Sequence, residues 1–163
     1  MKLLEHHAKD WLRARGLPVP EGRAAGTAQD AAAVARALGG RVAVKALVAA
    51  GRRGKAGAVR IAGDENAARA AAAEIIGTEI AGQRVTQVYV ESAVDIASEF
   101  YLSFGFGTRL PQIVVSRHGG VGIEAIAKRD PAAIITADID PLRGLTTWQA
   151  AGLWGRAGIE SSL

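Results

Sequence analysis

A lysine inside an apolar run, followed closely by a glycine-rich cationic segment, is the feature of this sequence best suited to chemistry. Lys45 stands in Val42-Ala43-Val44-Lys45-Ala46-Leu47-Val48, and Gly51-Arg52-Arg53-Gly54-Lys55-Ala56-Gly57 follows it. Alternation within the run reads as a strand and puts Lys45 on the face opposite Val42 and Val44. An amine inside such a run is costly unless an anion meets it. The glycines let the backbone bend tightly and bring its N–H groups close to an anion. Arg52, Arg53 and Lys55 add charge that suits a polyphosphate. The spacing is neither Gly-x4-Gly-Lys-Ser/Thr nor the dinucleotide fingerprint. A solvated strand face and a loop charged for solubility are the plain alternatives.

Two carboxylates downstream could complete such a site. Glu91 closes one strand-like run, and Glu99 lies on the polar face of the next. Both could accept hydrogen bonds from sugar hydroxyls or an exocyclic amine, and either could be an ordinary surface residue. The turn Ser116-Arg117-His118-Gly119-Gly120-Val121-Gly122 could approach a ligand, though a glycine turn explains it equally. His6, His7 and His118 make no convincing metal site, because adjacent histidines diverge on a helix and no acid stands at ligand spacing. No Gly-x-Ser-x-Gly elbow is present. Trp11, Trp148 and Trp154 fall in helical patterns, which suits core or interface anchors.

Those residues need elements to hold them. The chain has 163 residues, 49% of them apolar and 22% charged, enough for one substantial domain or two small lobes. Its net charge is only +4, and fifteen of the twenty cations are Arg, so basicity alone does not argue for nucleic acid. With no cysteine there is neither disulfide nor thiolate chemistry. The charged amino terminus lacks a signal-peptide core and no apolar stretch reaches membrane length, so a cytoplasmic protein is expected.

Leu4, Ala8, Trp11 and Leu12 recur at helical spacing up to Gly16 and Pro18, and residues 17–22 read as an extended connection. Thr27 and Asp30 cap a helix that stops at Gly39-Gly40. The Lys45 strand follows, then a short strand at 58–62 and an alanine-rich helix from Asp64 to Gly77. Strands are expected at 85–91 and 98–106, with Phe100, Leu102, Phe104 and Phe106 on one face of the second. Ile113–Val115 should pair with it, before a short helix, a strand at 133–136 and a final helix from Thr147. This alternation argues α+β with two lobes rather than a doubly wound sheet.

Taken in order, seven segments resemble the β subunit of succinyl-CoA synthetase and the ATP-grasp carboxylate–CoA ligases. They are 3–9, 16–22, Val44-Lys45, 51–57, 90–101, Gly119-Gly120-Val121-Gly122-Ile123-Glu124 and Asp140-Pro141-Leu142. The resemblance implies an ATP-grasp fold in which a small α/β lobe is inserted in a partial second lobe with a mixed or antiparallel sheet. Residues 1–20 would belong to the second lobe, 21–97 would form the small nucleotide-binding lobe, and 98–163 would be the partial second lobe. ATP would lie between the lobes. By position, Lys45 would touch phosphate oxygens, and Arg53, Gly54 and Lys55 would belong to the flap over them. Glu91 through Val94 would be the hinge beside adenine, and Glu99 would bind the ribose. In the family, ATP phosphorylates a histidine on a partner α subunit, and an acyl phosphate then yields the acyl-CoA thioester.

Arg52 and Ala58 replace two glycines of the usual loop, which makes it similar to the ATP-citrate lyase branch and puts succinate as substrate in doubt. Gly122 and Arg117-His118 also depart from the more acidic family pattern. The magnesium ligands that the family implies, and its CoA-ligase domain, correspond to positions beyond residue 163. This chain alone is therefore expected not to be a competent ligase. It would need a CoA-binding α-type subunit or a carboxy-terminal half, and self-association is compatible with that. The alternative is a non-catalytic nucleotide-binding or docking subunit that needs a partner chain. Nucleic acid and membrane are not expected partners, since no aromatics interleave with the cations.

Overall fold

The computed structural model describes residues 3–49, 57–106, 109–119 and 123–159. Two units, residues 1–95 and 96–163, each build a core of their own. The glycine-rich residues 50–56 and the Gly120–Gly122 part of the turn lie outside the described residues.

The first unit runs α1 (Glu5–Arg13), β1 (Gly22–Ala25), α2 (Ala28–Leu38), β2 (Val42–Ala46), β3 (Val59–Ala62) and α3 (Glu65–Ile75). It continues with the two-residue strands β4 (Glu79–Ile80) and β5 (Gln83–Arg84), then β6 (Val88–Ser92). Four strands form one antiparallel sheet in the order β1-β6-β2-β3. The caps read in the sequence are present: the Thr27 hydroxyl accepts the Asp30 N–H at 3.0 Å, and Asp64 accepts the Ala67 N–H at 2.8 Å. Gly39, at φ 67°, ends α2 in a conformation that a side chain would resist.

Alanine abundance has a packing consequence. Ala31 and Ala35 of α2 and Ala68, Ala71 and Ala72 of α3 are buried, so both helices settle closely on one sheet face. Val42, Val44, Ala46, Val88 and Val90 supply that face. Period-2 alternation sends Ala43, Lys45, Tyr89 and Glu91 to the other face, as expected for Lys45.

Two features were not anticipated. Gly22-Arg23-Ala24-Ala25 has little β propensity, yet it forms β1 because its backbone pairs with β6, Gly22 opposite Glu91 and Ala25 opposite Val88. The β4–β5 hairpin turns on Ala81 and Gly82, both at positive φ, the geometry of a tight two-residue turn.

The second unit contains β7 (Tyr101–Phe106), β8 (Pro111–Ser116), α4 (Ile123–Arg129), a 3₁₀ turn (Pro131–Ala133), β9 (Ile135–Asp138) and α5 (Thr147–Arg156). The antiparallel order is β7-β8-β9, with Phe104 opposite Ile113. A capping box between Thr146 and Gln149 starts α5. Leu153, Ala157 and Ile159 then pack on Ile113 and Val115, with Trp154 beside them. That core reaches β8 and β9 and leaves much of β7 bare: Phe104 is 64% and Phe106 89% exposed. The apolar face of β7 is real, but its burial is incomplete. The core-anchor reading of the tryptophans holds only for Trp154. Trp148 is 83% exposed, and Trp11 lies half in solvent beneath the Arg15 guanidinium, 3.4 Å from its ring centroid.

Candidate functional site

Sheet register brings the first two candidate residues together. Lys45 of β2 lies opposite Tyr89 of β6, and Ala43 opposite Glu91, so Lys45 and Glu91 are diagonal neighbours on the same face. Their side chains meet, the Lys45 ammonium donating to Glu91 Oε1. Gly22 of β1 flanks Glu91 from the other side and makes the room. A Cβ there would lie 2.6 Å from Glu91 Cβ and 2.8 Å from the tip of the Tyr89 ring.

Helix α1 closes over this pair with two residues one turn apart. Lys9 donates to Glu91 Oε2, and its ammonium is 2.9 Å from Glu5. Lys45 also reaches Glu5, at 3.2 Å. Each carboxylate therefore meets both ammonium groups, a four-membered ring of two positive and two negative charges. The Glu91 side chain is only 5% exposed, which such compensation makes tolerable. Lys9 also lies 5.3 Å from the centroid of the buried Tyr89 ring.

Desolvation marks the same face. Burial pushes the Tyr89 phenol above its usual range, with the nearby Glu91 charge adding to the rise and Arg13 opposing it. The His6 imidazole, stacked 6.3 Å from Tyr89, is pushed down by burial and by His7, against the pull of Asp10.

The remaining candidates are placed differently. Arg53, Gly54 and Lys55 lie outside the described residues. Val94 follows β6 in the first unit and is 58% exposed. Glu99 is exposed and belongs to the second unit, just ahead of β7 rather than within it. Its carbonyl accepts the Gly119 N–H at 2.9 Å. Gly119 has a packing role of its own, since a Cβ there would lie 2.5 Å from the Glu99 carbonyl carbon. Among the described residues, no three His, Asp or Glu side chains group in a way that could hold a metal ion.

Sequence reasoning assigned no chemistry to Glu5, Lys9 or Gly22. The available signal was the Glu-then-Lys spacing of four on an amphipathic helix, a common surface pattern. Nothing local says which sheet face that helix will cover.

Fold and site together define a two-unit α+β protein whose first unit presents a braced, strand-borne lysine on the sheet face away from α2 and α3. Comparison with known sequences is decisive about the family. The ATP-grasp domain family, in the form designated ATP-grasp_2, matches residues 2–163, and the chain belongs to it. The succinate–CoA ligase [ADP-forming] β subunit of Halorubrum lacusprofundi is 39% identical over 165 residues, covering 100% of this chain and 43% of the relative. The Rubrobacter xylanophilus β subunit is 41% identical over 162 residues, covering 98% and 42%. The chain thus spans less than half the length of these curated relatives.

Solved structures show the same fold. A dinucleotide-forming acetyl-coenzyme A synthetase from Ca. Korarchaeum cryptofilum, in complex with coenzyme A and Ca-AMPCP, superposes with TM-score 0.76 at 22% identity, covering 94% of this chain and 65% of that one. ATP citrate lyase from Methanothrix soehngenii, in complex with citrate and coenzyme A, gives TM-score 0.63 at 22% identity, covering 87% and 35%. The resemblance read from seven collinear segments is borne out, and so is the α+β ATP-grasp class. No helix among the described residues is long and apolar enough to cross a membrane.

Proposed function

We propose that this chain binds ATP as the nucleotide-binding portion of an ATP-dependent carboxylate–CoA ligase of the succinyl-CoA synthetase β type. The observation that carries the reading is the Lys45 amine, held by Glu91 and Glu5 on the sheet face away from α2 and α3 instead of trailing into solvent. A lysine so braced is a pre-oriented cation beside the segment where the family keeps its phosphate flap. Lys45 would meet phosphate oxygens, with Arg53, Gly54 and Lys55 over them. The strand end from Glu91 to Val94 would border adenine, and Glu99 would take the ribose hydroxyls. These roles are electrostatic positioning, which is most of what phosphoryl transfer asks of a protein.

The donor set fits ATP better than it fits a resident metal. Magnesium is typical of the family and would neutralise phosphate charge, but among the described residues no three His, Asp or Glu side chains group to hold it. Transfer to a histidine and formation of the acyl-CoA thioester would require an α-type subunit and residues corresponding to the remainder of the relatives. Calorimetric titration with ATP and magnesium tests the reading. Wild type should bind, and Lys45→Ala should lose about tenfold or more in affinity, consistent with removal of a charge-assisted contact. Flat titrations for both proteins would refute it.

A docking role has a separate observation behind it. Phe104 and Phe106 on β7, Leu142 and Trp148 are all large, apolar and mostly exposed. Such exposure on one unit suits a surface that a partner chain covers. Sizing the protein with and without the candidate α-type subunit tests this; a monomer in both cases excludes it.

A further inference from the structure

We propose that the second unit carries an anion site of its own, built by Arg117, Arg156 and Asp130, and that its ligand is inorganic phosphate. The three residues line one cavity of about 200 Å³ together with Ala133, Ala157 and Gly158. None of them belongs to the proposed nucleotide site. Phosphate binding here therefore does not depend on ATP binding.

Arg117 follows β8 at a turn that holds its guanidinium in place. Ser116 is fully buried, and its hydroxyl accepts the His118 N–H at 3.1 Å. The Arg117 Nε–H donates to His118 Nε2 at 3.3 Å, and its Nη1 lies where a Cβ on Gly158 would be 3.4 Å away. Its Nη groups are left to meet a ligand. Arg156 comes from the last turn of α5. Among the described residues, neither guanidinium forms an ion pair with a carboxylate. Asp130 opens the 3₁₀ turn, half-buried, with a side chain that caps nothing.

Two guanidiniums and one carboxylate call for an anion that also brings a donor. Arginine forks bind oxyanions, and an ionised carboxylate can only accept. Inorganic phosphate meets both demands near neutral pH, because it keeps a proton on at least one oxygen. Its tetrahedral oxygens can face donors from the end of β8 and from α5 at once, with the P–OH left for Asp130. Sulfate has the same shape and no proton, so Asp130 repels it. A planar carboxylate offers two oxygens, which one guanidinium fork already takes up. Pockets that enclose a drug-sized ligand run to about 300–1,000 Å³, so this smaller one suits a single ion rather than a nucleotide.

The experiment is an NMR titration of the full chain with inorganic phosphate and, separately, with sulfate, read at the Gly158 amide. Chloride holds the ionic strength constant, and thermal melts run alongside. Wild type should give a saturable shift with phosphate and bind sulfate about fivefold or more weakly. Arg117→Gln and Arg156→Gln should each weaken phosphate binding by about fivefold or more, while Lys45→Ala leaves it unchanged. Asp130→Asn should bring sulfate to within about twofold of phosphate, since the Asn amide can donate. If Arg156 served only the negative end of α5, its loss would lower the melting temperature and leave the phosphate response intact. That result overturns the site, as does a wild-type response that is absent or that sulfate matches. An Asp130→Asn variant that still prefers phosphate, or a response lost in Lys45→Ala, overturns it as well. Should one arginine variant fail to fold, the other decides by the same criterion.

Discussion

Replacing Gly22 by alanine should destabilise the first unit, although two physical effects of opposite sign compete there. Gly22 is not at positive φ, so alanine fits the backbone and narrows the unfolded ensemble. By itself that would stabilise the fold by about 0.4–1 kcal/mol. Against it stands the contact at Glu91 Cβ, only 2.6 Å from the added methyl, and at the Tyr89 ring tip, 2.8 Å away. Carbon atoms pack at roughly 3.5–4 Å, an overlap of about 0.9 Å or more. Neither neighbour yields easily. Glu91 Cβ is tied to β6, which is paired on both sides, and the Tyr89 ring is rigid and 1% exposed. The edge strand β1 must move instead. Overpacking of this kind costs about 1–3 kcal/mol, so the net should be a loss of roughly 0.5–2 kcal/mol. Urea unfolding followed at Trp11, with Trp148 and Trp154 replaced by Phe, isolates the first unit. At a slope of about 2 kcal/mol/M, the midpoint should fall by roughly 0.3–1 M with the slope unchanged. A midpoint that stays put or rises would mean the strand relaxes freely, and Gly22 would lose its role as the space beside Glu91.

Other expectations follow from single contacts. Asp64→Ala removes the acceptor for the Ala67 N–H, 2.8 Å away, and should cost about 1 kcal/mol in urea unfolding while Asp64→Asn costs little. Burial raises the Tyr89 pKa above the ordinary phenol value of 10.0, so the fold favours the neutral phenol. That contribution is whole below pH 10.0 and is lost as pH climbs through the higher folded value, and Tyr89→Phe should abolish the corresponding slope in stability against alkaline pH. Because Phe104 and Phe106 are exposed, changing both to Thr should alter stability by less than about 0.5 kcal/mol. If the bare face of β7 drives association, sedimentation should show less of it in that variant.

Much of the architecture was readable because its signals are local. Thr27 and Asp64 cap the helices that they precede, and Gly39 and Gly77 lie where helices end. The pairing of residues 113–115 with the phenylalanine strand also follows from neighbouring alternation, and β8 bears it out. β1 escaped because its strand character comes from a partner 66 or so residues away and not from Gly-Arg-Ala-Ala itself. Exposure of Phe104 and Phe106 escaped for a related reason. Alternation tells which residues share a face, but only the position of α5 tells how far that face is covered.

The sequence by itself determined the family, the order of most elements apart from β1 and the β4–β5 hairpin, the helix caps and the strand on which Lys45 sits. Those depend on residue type and short spacing, which the chain carries wherever it folds. Tertiary structure alone decided what the Lys45 amine touches. Glu5, Lys9, Lys45 and Glu91 converge through the register of β2 against β6 and the seating of α1 on that sheet face. No local propensity encodes such a meeting, because the energy of a charge depends on which opposite charges and how much water the completed fold leaves beside it.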